Sequence, residues 1–204
     1  MNPLYYSQNT IIESYLHTKE IHLKKEILSL RSEVQEWRRA VKSKMKLISK
    51  DESSYINLKY CGAVLKDILD EMKHWNILGK KRIVICQDND KRIQAIALIN
   101  DSQEKEIVLE QLCTHPDNIR CSVNESISTR VKGAASKIIQ YLSVRALEKK
   151  KSISADALQS SLPFYQKLKF DVVDLTQQGS CIVPIRLTLE KINQWLKPDL
   201  RLNP

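Results

Sequence analysis

The chain has 204 residues, 42% of them hydrophobic, and a formal net charge of +9. That length buries one substantial core and leaves two full domains cramped. Apolar runs such as 82–86 and 93–99 fall far short of the roughly 20 residues a membrane-spanning helix needs, and residues 1–6 show no basic segment leading into an apolar one; a cytoplasmic protein with no membrane partner is expected.

Cys61, Cys86, Cys113, Cys121 and Cys181 are odd in number and widely spaced, without a Cys-x-x-Cys pair. Reduced structural thiols are expected. The four histidines, His17, His22, His74 and His115, do not supply ligands at zinc-binding spacing, so no metal is expected. The positive charge favours polyanionic partners, among them nucleic acid or an acidic protein face.

In chain order, Leu23, Ile27, Leu30, Val34, Trp37 and Val41 recur in steps of four and three on a charged background. This is an amphipathic helical stripe, and with no Gly or Pro over 10–43 the spacing predicts one long helix. Residues 1–43 read as a helical extension and 44–204 as the main domain. The stripe suits either a coiled-coil homodimer or packing against the same chain. Residues 45–49 read as a short strand and 51–54 as a turn into a second helix, carried by Tyr60, Val64, Leu65, Ile68, Leu69 and Met72 and ended near Gly79.

Beyond Gly79 the pattern becomes β-like. Runs 82–87 and 92–100 form a hairpin about Asp88-Asn89-Asp90, and a third strand, 106–114, ends at His115-Pro116-Asp117. Residues 118–129 read as a loop. A helix opens at Arg130, carries Ile138, Ile139, Leu142, Val144 and Leu147 inward, and closes on the basic run 149–151. Strand 152–157, helix 162–168, strand 170–175, turn 177–180, strand 181–187 and a final helical turn at 189–196 follow. The order gives an α/β (α+β mixed-sheet) fold.

The most specific chemical signal is Arg130-x-x-Gly133-x-Ala135 at a helix start. Free amides at a helix N-terminus favour a pyrophosphate, and small residues let phosphate oxygens approach the backbone. Neither a Gly-Lys-Ser/Thr phosphate loop nor a Gly-x-Gly-x-x-Gly dinucleotide loop is present.

Four consecutive stretches within 81–188 resemble the GNAT superfamily of N-acetyltransferases. Residues 83–99 look like its paired strands before the cofactor site. Leu112-Cys113-Thr114-His115-Pro116-Asp117 is similar to the end of its central strand, where a bulge exposes backbone groups. Arg130-x-x-Gly133-x-Ala135 matches its pyrophosphate loop, and Leu162-Pro163-Phe164-Tyr165-Gln166-Lys167-Leu168-Lys169-Phe170 looks like its Phe-Tyr-x-Lys-Leu-Gly-Phe element. Two departures stand out: the long insert 118–129, read as a flap near the acceptor, and Lys169 in place of a glycine that often takes positive φ.

The resemblance implies acetyl-CoA as co-substrate, a primary amine as acceptor and direct attack in a ternary complex. It implies cofactor contacts at Leu112, Cys113, Thr114, Arg130, Val131, Lys132, Gly133, Ala134, Ala135 and Ser136, with the bulge amides of 112–114 polarising the thioester carbonyl. Tyr165 matches the family tyrosine that protonates the departing thiolate. For the base, strand alternation places Val108, Glu110, Leu112 and Thr114 on one face, which makes Glu110 the candidate; His115 and Asp156 are weaker ones. The acceptor, whether protein, small amine or aminoacyl-RNA, is not encoded in any motif, although a basic chain disfavours polycations. The competing reading is a regulatory protein of the same fold. It would act on a protein or nucleic acid through Lys24, Lys25, Arg31, Arg38, Arg39 and Lys42 of the N-terminal helix.

Overall fold

The computed structural model describes residues 17–21, 24–50, 53–74, 81–119, 131–173 and 181–196. The first described element is not helix. His17–Ile21 is a strand, β1, paired antiparallel with β2, Lys81–Gln87, from His17 opposite Gln87 to Ile21 opposite Ile83. The lack of Gly and Pro over 10–43 permits a helix there without requiring one, and the apolar periodicity begins only after this segment. Pairing with the β2 edge satisfies the backbone groups that face β2 and buries Ile21.

Helix α1, Lys24–Met45, then turns Ile27, Leu30, Val34, Trp37 and Val41 inward. They pack with α2, Ser53–Lys73, and one face of the sheet in a single apolar cluster. The stripe is therefore covered by its own chain, each buried side chain contributing about 1.5–3 kcal/mol. Residues 45–49, expected as a strand, instead finish α1 and turn: the amides of Lys46 and Leu47 donate to the carbonyls of Ser43 and Lys44 at 3.2 and 3.0 Å, and Leu47 is exposed.

The sheet continues through β3 (Ile93–Asn100) and β4 (Glu106–Thr114), the latter with the bounds read from sequence. Helix α3 (Ala134–Lys149) crosses to β5 (Ser152–Leu158), which runs parallel to β4; a parallel pair needs such a crossover. Helix α4 (Leu162–Lys167), the short β6 (Asp171–Val172), β7 (Ile182–Leu187) and α5 (Leu189–Trp195) complete the described fold. The order across the sheet is β1-β2-β3-β4-β5-β7-β6, antiparallel except at β4–β5. The strand expected at 170–175 is thus only two residues long, and the turn expected at 177–180 lies outside the described residues.

Every residue of β3 but Asn100 is buried, because helices cover both sides of the sheet. One side holds α1 and α2; the other holds α3 and α5, packed with Val84, Ala97, Ile107, Leu109 and Ile153. Two nearly buried carboxylates clamp α3 to the sheet. Glu20 of β1, its side chain 6% exposed, accepts from Arg82 at 3.1 Å, the Tyr141 hydroxyl at 2.8 Å and Arg145. Asp101, 3% exposed, meets Arg145 and Lys151 at 2.9 Å and also Lys149. Burial alone would raise the Asp101 pKa, but the hydrogen bonds from Lys149, Lys151 and Arg145 hold its carboxyl well below the usual range. Among the described residues no helix is long and apolar enough to cross a membrane.

Candidate active site

The site grows out of an opening in the sheet. β4 and β5 pair only from Glu106–Ser152 to Leu109–Ala155; farther on, β4 stays with β3 and β5 stays with β7. The β3–β4 register shifts at this point, with Leu98 opposite Gln111 but Ile99 opposite Leu109, so Glu110 is the extra residue of a β-bulge. The bulge expected at 112–114 therefore lies slightly earlier, and 112–114 run in register with Ala97, Ile96 and Ala95.

Its effect on the exposed backbone can be counted. The Lys105 carbonyl accepts from the Ser152 amide at 3.0 Å and so faces β5; the His115 amide donates to the Gln94 carbonyl at 2.9 Å and so faces β3. Alternating from each end turns 107 and 109 toward β5 and 113 and 111 toward β3. Leu112 and Thr114 then present their amides and carbonyls to the side that β5 has left.

The bulge also reassigns side chains. Glu110 does not share a face with Leu112 and Thr114, as simple alternation predicts. Gln111 donates to Asp67 of α2 at 3.3 Å, while Glu110 pairs at 2.9 Å with Lys81, which also pairs with Glu71 of α2 at 2.6 Å. Both neighbouring side chains thus point to the α2 side, and Leu112 packs toward α3. Burial opposes the Lys81 ammonium, yet the bonds from Glu71 and Glu110 outweigh it and raise its pKa. Glu71, Glu110 and Gln111, together with Asp67, Asp70, His74 and Leu98, line a cleft of about 370 Å³.

Cys113 turns its thiol away from α3, into the α1–α2 core, 3.0 Å from the Cys61 sulfur. The hydrogen bond with Cys61 and burial hold that thiol well above its ordinary range. Cys113, expected as a cofactor contact, therefore offers neither group: its thiol lies in the α1–α2 core and its amide and carbonyl face β3. Burial likewise pushes the Cys86 thiol up to about 12.

The helix expected from Arg130 begins at Ala134, and Arg130 itself lies outside the described residues. Gly133 is its N-cap, at φ 88° and ψ −9°, with no side chain capping it. This left-handed conformation suits glycine. The Lys137 amide donates to the Gly133 carbonyl at 2.9 Å, so the amides of Ala134, Ala135 and Ser136 precede the first bond of the α-helical ladder and face out of the helix mouth. Val131 is part-exposed and Lys132 exposed beside it, while Ala134 is buried. The donor set suits a diphosphate.

Asn118 joins this mouth to β3, which sequence reasoning missed. Its Oδ1 accepts the Val131 amide at 3.0 Å and its Nδ2 donates to Gln94 at 3.3 Å, while Gln94 donates to Asp88 at 2.8 Å. The available signal was Gln94, a polar residue within an apolar strand and one of the few buried polar side chains here. Asn118 sits where the Pro116–Asn118 turn ends, and the His115 Nδ1 accepts the Asp117 amide of that turn at 3.2 Å. Burial lowers the His115 pKa, and its ring packs edge-on against Trp37 at 4.8 Å; its role in this geometry is capping. Asp156 is exposed on β5.

Tyr165 of α4 belongs to the same apolar cluster as Leu112, Val131 and Ala134. It is 8% exposed, and its ring lies between Phe164 and Phe170, at 5.0 and 5.3 Å, edge-on to both. Burial pushes its pKa up to about 12, so the phenol keeps its proton across the neutral range. Lys169, in the expected glycine position, does adopt positive φ, 70°. Its amide donates to the Gln166 carbonyl, which closes the turn that returns Phe170 to the Tyr165 carbonyl.

Neither a protein-family model nor a curated protein matches the sequence. Solved structures do match in shape. The N-acetyltransferase PseH of Campylobacter jejuni is similar at 15% identity, with 85% of this chain and 98% of that one covered and a TM-score of 0.50. An acetyltransferase from Streptococcus agalactiae gives 14% identity, 86% and 99% coverage, and a TM-score of 0.52. The fold is that of the GNAT N-acetyltransferases. In both comparisons nearly the whole of the other chain is covered, so the GNAT fold accounts for most of this molecule. At such identity the likeness is one of architecture, and the chemistry rests on the residues above.

Proposed function

We propose that the chain is an acetyl-CoA-dependent N-acetyltransferase that transfers acetyl to a primary amine within a ternary complex. The observation that carries this reading is the pairing of two features: strands β4 and β5 part after Leu109 and Ala155, and an uncapped helix mouth opens at Gly133. One offers backbone groups to a thioester and the other offers amides to a diphosphate.

Acetyl-CoA supplies the activated acyl group. The amides of Ala134, Ala135 and Ser136 hold its diphosphate, with Val131 and Lys132 beside them, while the left-handed Gly133 keeps the approach clear; Arg130 remains a contact implied by the resemblance of the loop. Leu112 and Thr114 give backbone hydrogen bonds along the parted strand and oppose negative charge developing on the thioester oxygen. The amine approaches from the α2 side, where Glu110 accepts a proton from it directly or through water. As the nitrogen–carbon bond forms and the carbon–sulfur bond breaks, Tyr165 donates its phenolic proton to the leaving sulfur. Direct attack is favoured over a cysteinyl intermediate, because the Cys113 and Cys86 thiols are buried with raised pKa values.

Calorimetric titration with acetyl-CoA, followed by thiol release across pools of amines, peptides and aminoacylated RNA, tests the proposal. Saturable binding and amine-dependent thiol release are expected. An absence of CoA binding overturns it.

A further inference from the structure

A second feature lies on the outer surface of the α1–α2 pair. Arg31, Arg38, Arg39 and Lys42 of α1, with Leu69, Asp70 and Lys73 of α2, border a groove of about 290 Å³, so four α1 cations and Lys73 face a single carboxylate there. Lys73 is already neutralised by Asp70 at 2.6 Å, and Asp70 also pairs with Lys66. The four α1 cations differ: among the described residues none has a carboxylate partner, although ion pairs are common elsewhere on the chain. The Nε of Arg31 is moreover buried without any hydrogen-bond partner. A desolvated guanidinium donor left unpaired is destabilising, which sets Arg31 apart from an ordinary solvated surface cation.

We infer that this groove binds the phosphodiester backbone of a nucleic acid. Positions 31, 38 and 42 fall on one stripe of α1 and span about 16 Å of helix, long enough to follow several consecutive phosphates of one strand. Three of the four groups are arginines, whose planar forks suit phosphate oxygens. Leu69 is the one apolar side chain bordering the groove, whereas a docked protein would require an apolar anchor. The inference concerns binding alone and stands independently of acetyl transfer.

Fluorescence anisotropy of the full chain tests it, with a labelled single-stranded RNA of about 20 nucleotides, its duplex, and a polyglutamate peptide as probes. Binding to RNA is expected to weaken with salt, with log K falling against log salt at a slope of about −3 for four neutralised phosphates. Arg38→Gln/Arg39→Gln/Lys42→Gln should weaken binding at least about tenfold and flatten that slope by about 2. The exposed pair Arg39→Gln/Lys42→Gln should move both in the same direction. Lys105→Gln/Lys150→Gln/Lys167→Gln, outside α1 and α2, removes equal charge and should leave both nearly unchanged. No binding to either nucleic acid at about 50 mM salt, or equal loss in both triple variants, overturns the inference. So does tighter binding of polyglutamate than of RNA, which would assign the groove to an acidic protein.

Discussion

The two sides of the sheet solve different problems with similar materials. On the α3 side, the helix mouth at Gly133, the amides of Leu112 and Thr114 and the buried Tyr165 leave polar backbone and one phenol at the edge of an apolar cluster. On the α1–α2 side, the core is closed by Trp37, Leu58 and Leu65, and polar groups are paired across it, as in Lys81 with Glu71 and Glu110. The bulge at Glu110 connects them. It turns one carboxylate to the α2 side and two backbone amides to the parted strands, the arrangement on which the proposed function draws for acceptor and acyl donor.

The largest effect that would sharpen this contrast concerns Trp37, 3% exposed at the centre of α1. Trp37→Ala should cost about 4 kcal/mol by chemical denaturation. A loss under about 1 kcal/mol would show α1 to be an appendage, not half of a core. Next comes the clamp at Asp101, where Asp101→Asn should cost about 3 kcal/mol by leaving cations underpaired. Because its native pKa is depressed, its contribution is complete above the unfolded carboxylate value of about 3.9 and fades as pH falls through the lower native one. Urea titrations between neutral and acid pH should show that dependence in the native sequence and a weaker one in the variant.

On the α3 side, Tyr165→Phe should lower kcat about a hundredfold, roughly 2.7 kcal/mol, with acetyl-CoA affinity retained. Steady-state kinetics and calorimetry together read this, and an unchanged kcat would remove the phenol from the mechanism. Gly133→Val places a β-branched residue at φ 88°; it should destabilise by about 2 kcal/mol in thermal unfolding and weaken CoA binding in parallel. The smallest effect should be a gain. Lys169→Gly relieves a left-handed lysine and should stabilise by about 0.5–1 kcal/mol, with acetyl transfer unaltered.

Much of this was legible because the signals are local. The apolar stripe of α1, the bounds of β4 and the small residues at 133–135 each depend on a few neighbouring residues, whereas the positive φ at Lys169 was implied only by the family resemblance. The strand at His17–Ile21 was not legible, since its stability comes from β2, more than sixty residues away. Nor was the orientation of Glu110: strict alternation is the correct local rule, and only the register with β3 reveals the extra residue. Asn118 escaped for the same reason, its two partners lying on β3 and at the approach to α3.

By itself, then, the sequence determined the order of elements from the second helix onward, the apolar faces and the glycine at the helix mouth, because propensity, periodicity and φ preference act over a few residues. Tertiary structure alone decided which edge receives β1, where β4 leaves β5, and that four cations of α1 stand without carboxylate partners among the described residues. Those outcomes are set by pairing and charge balance between segments distant in the chain, which no local pattern records.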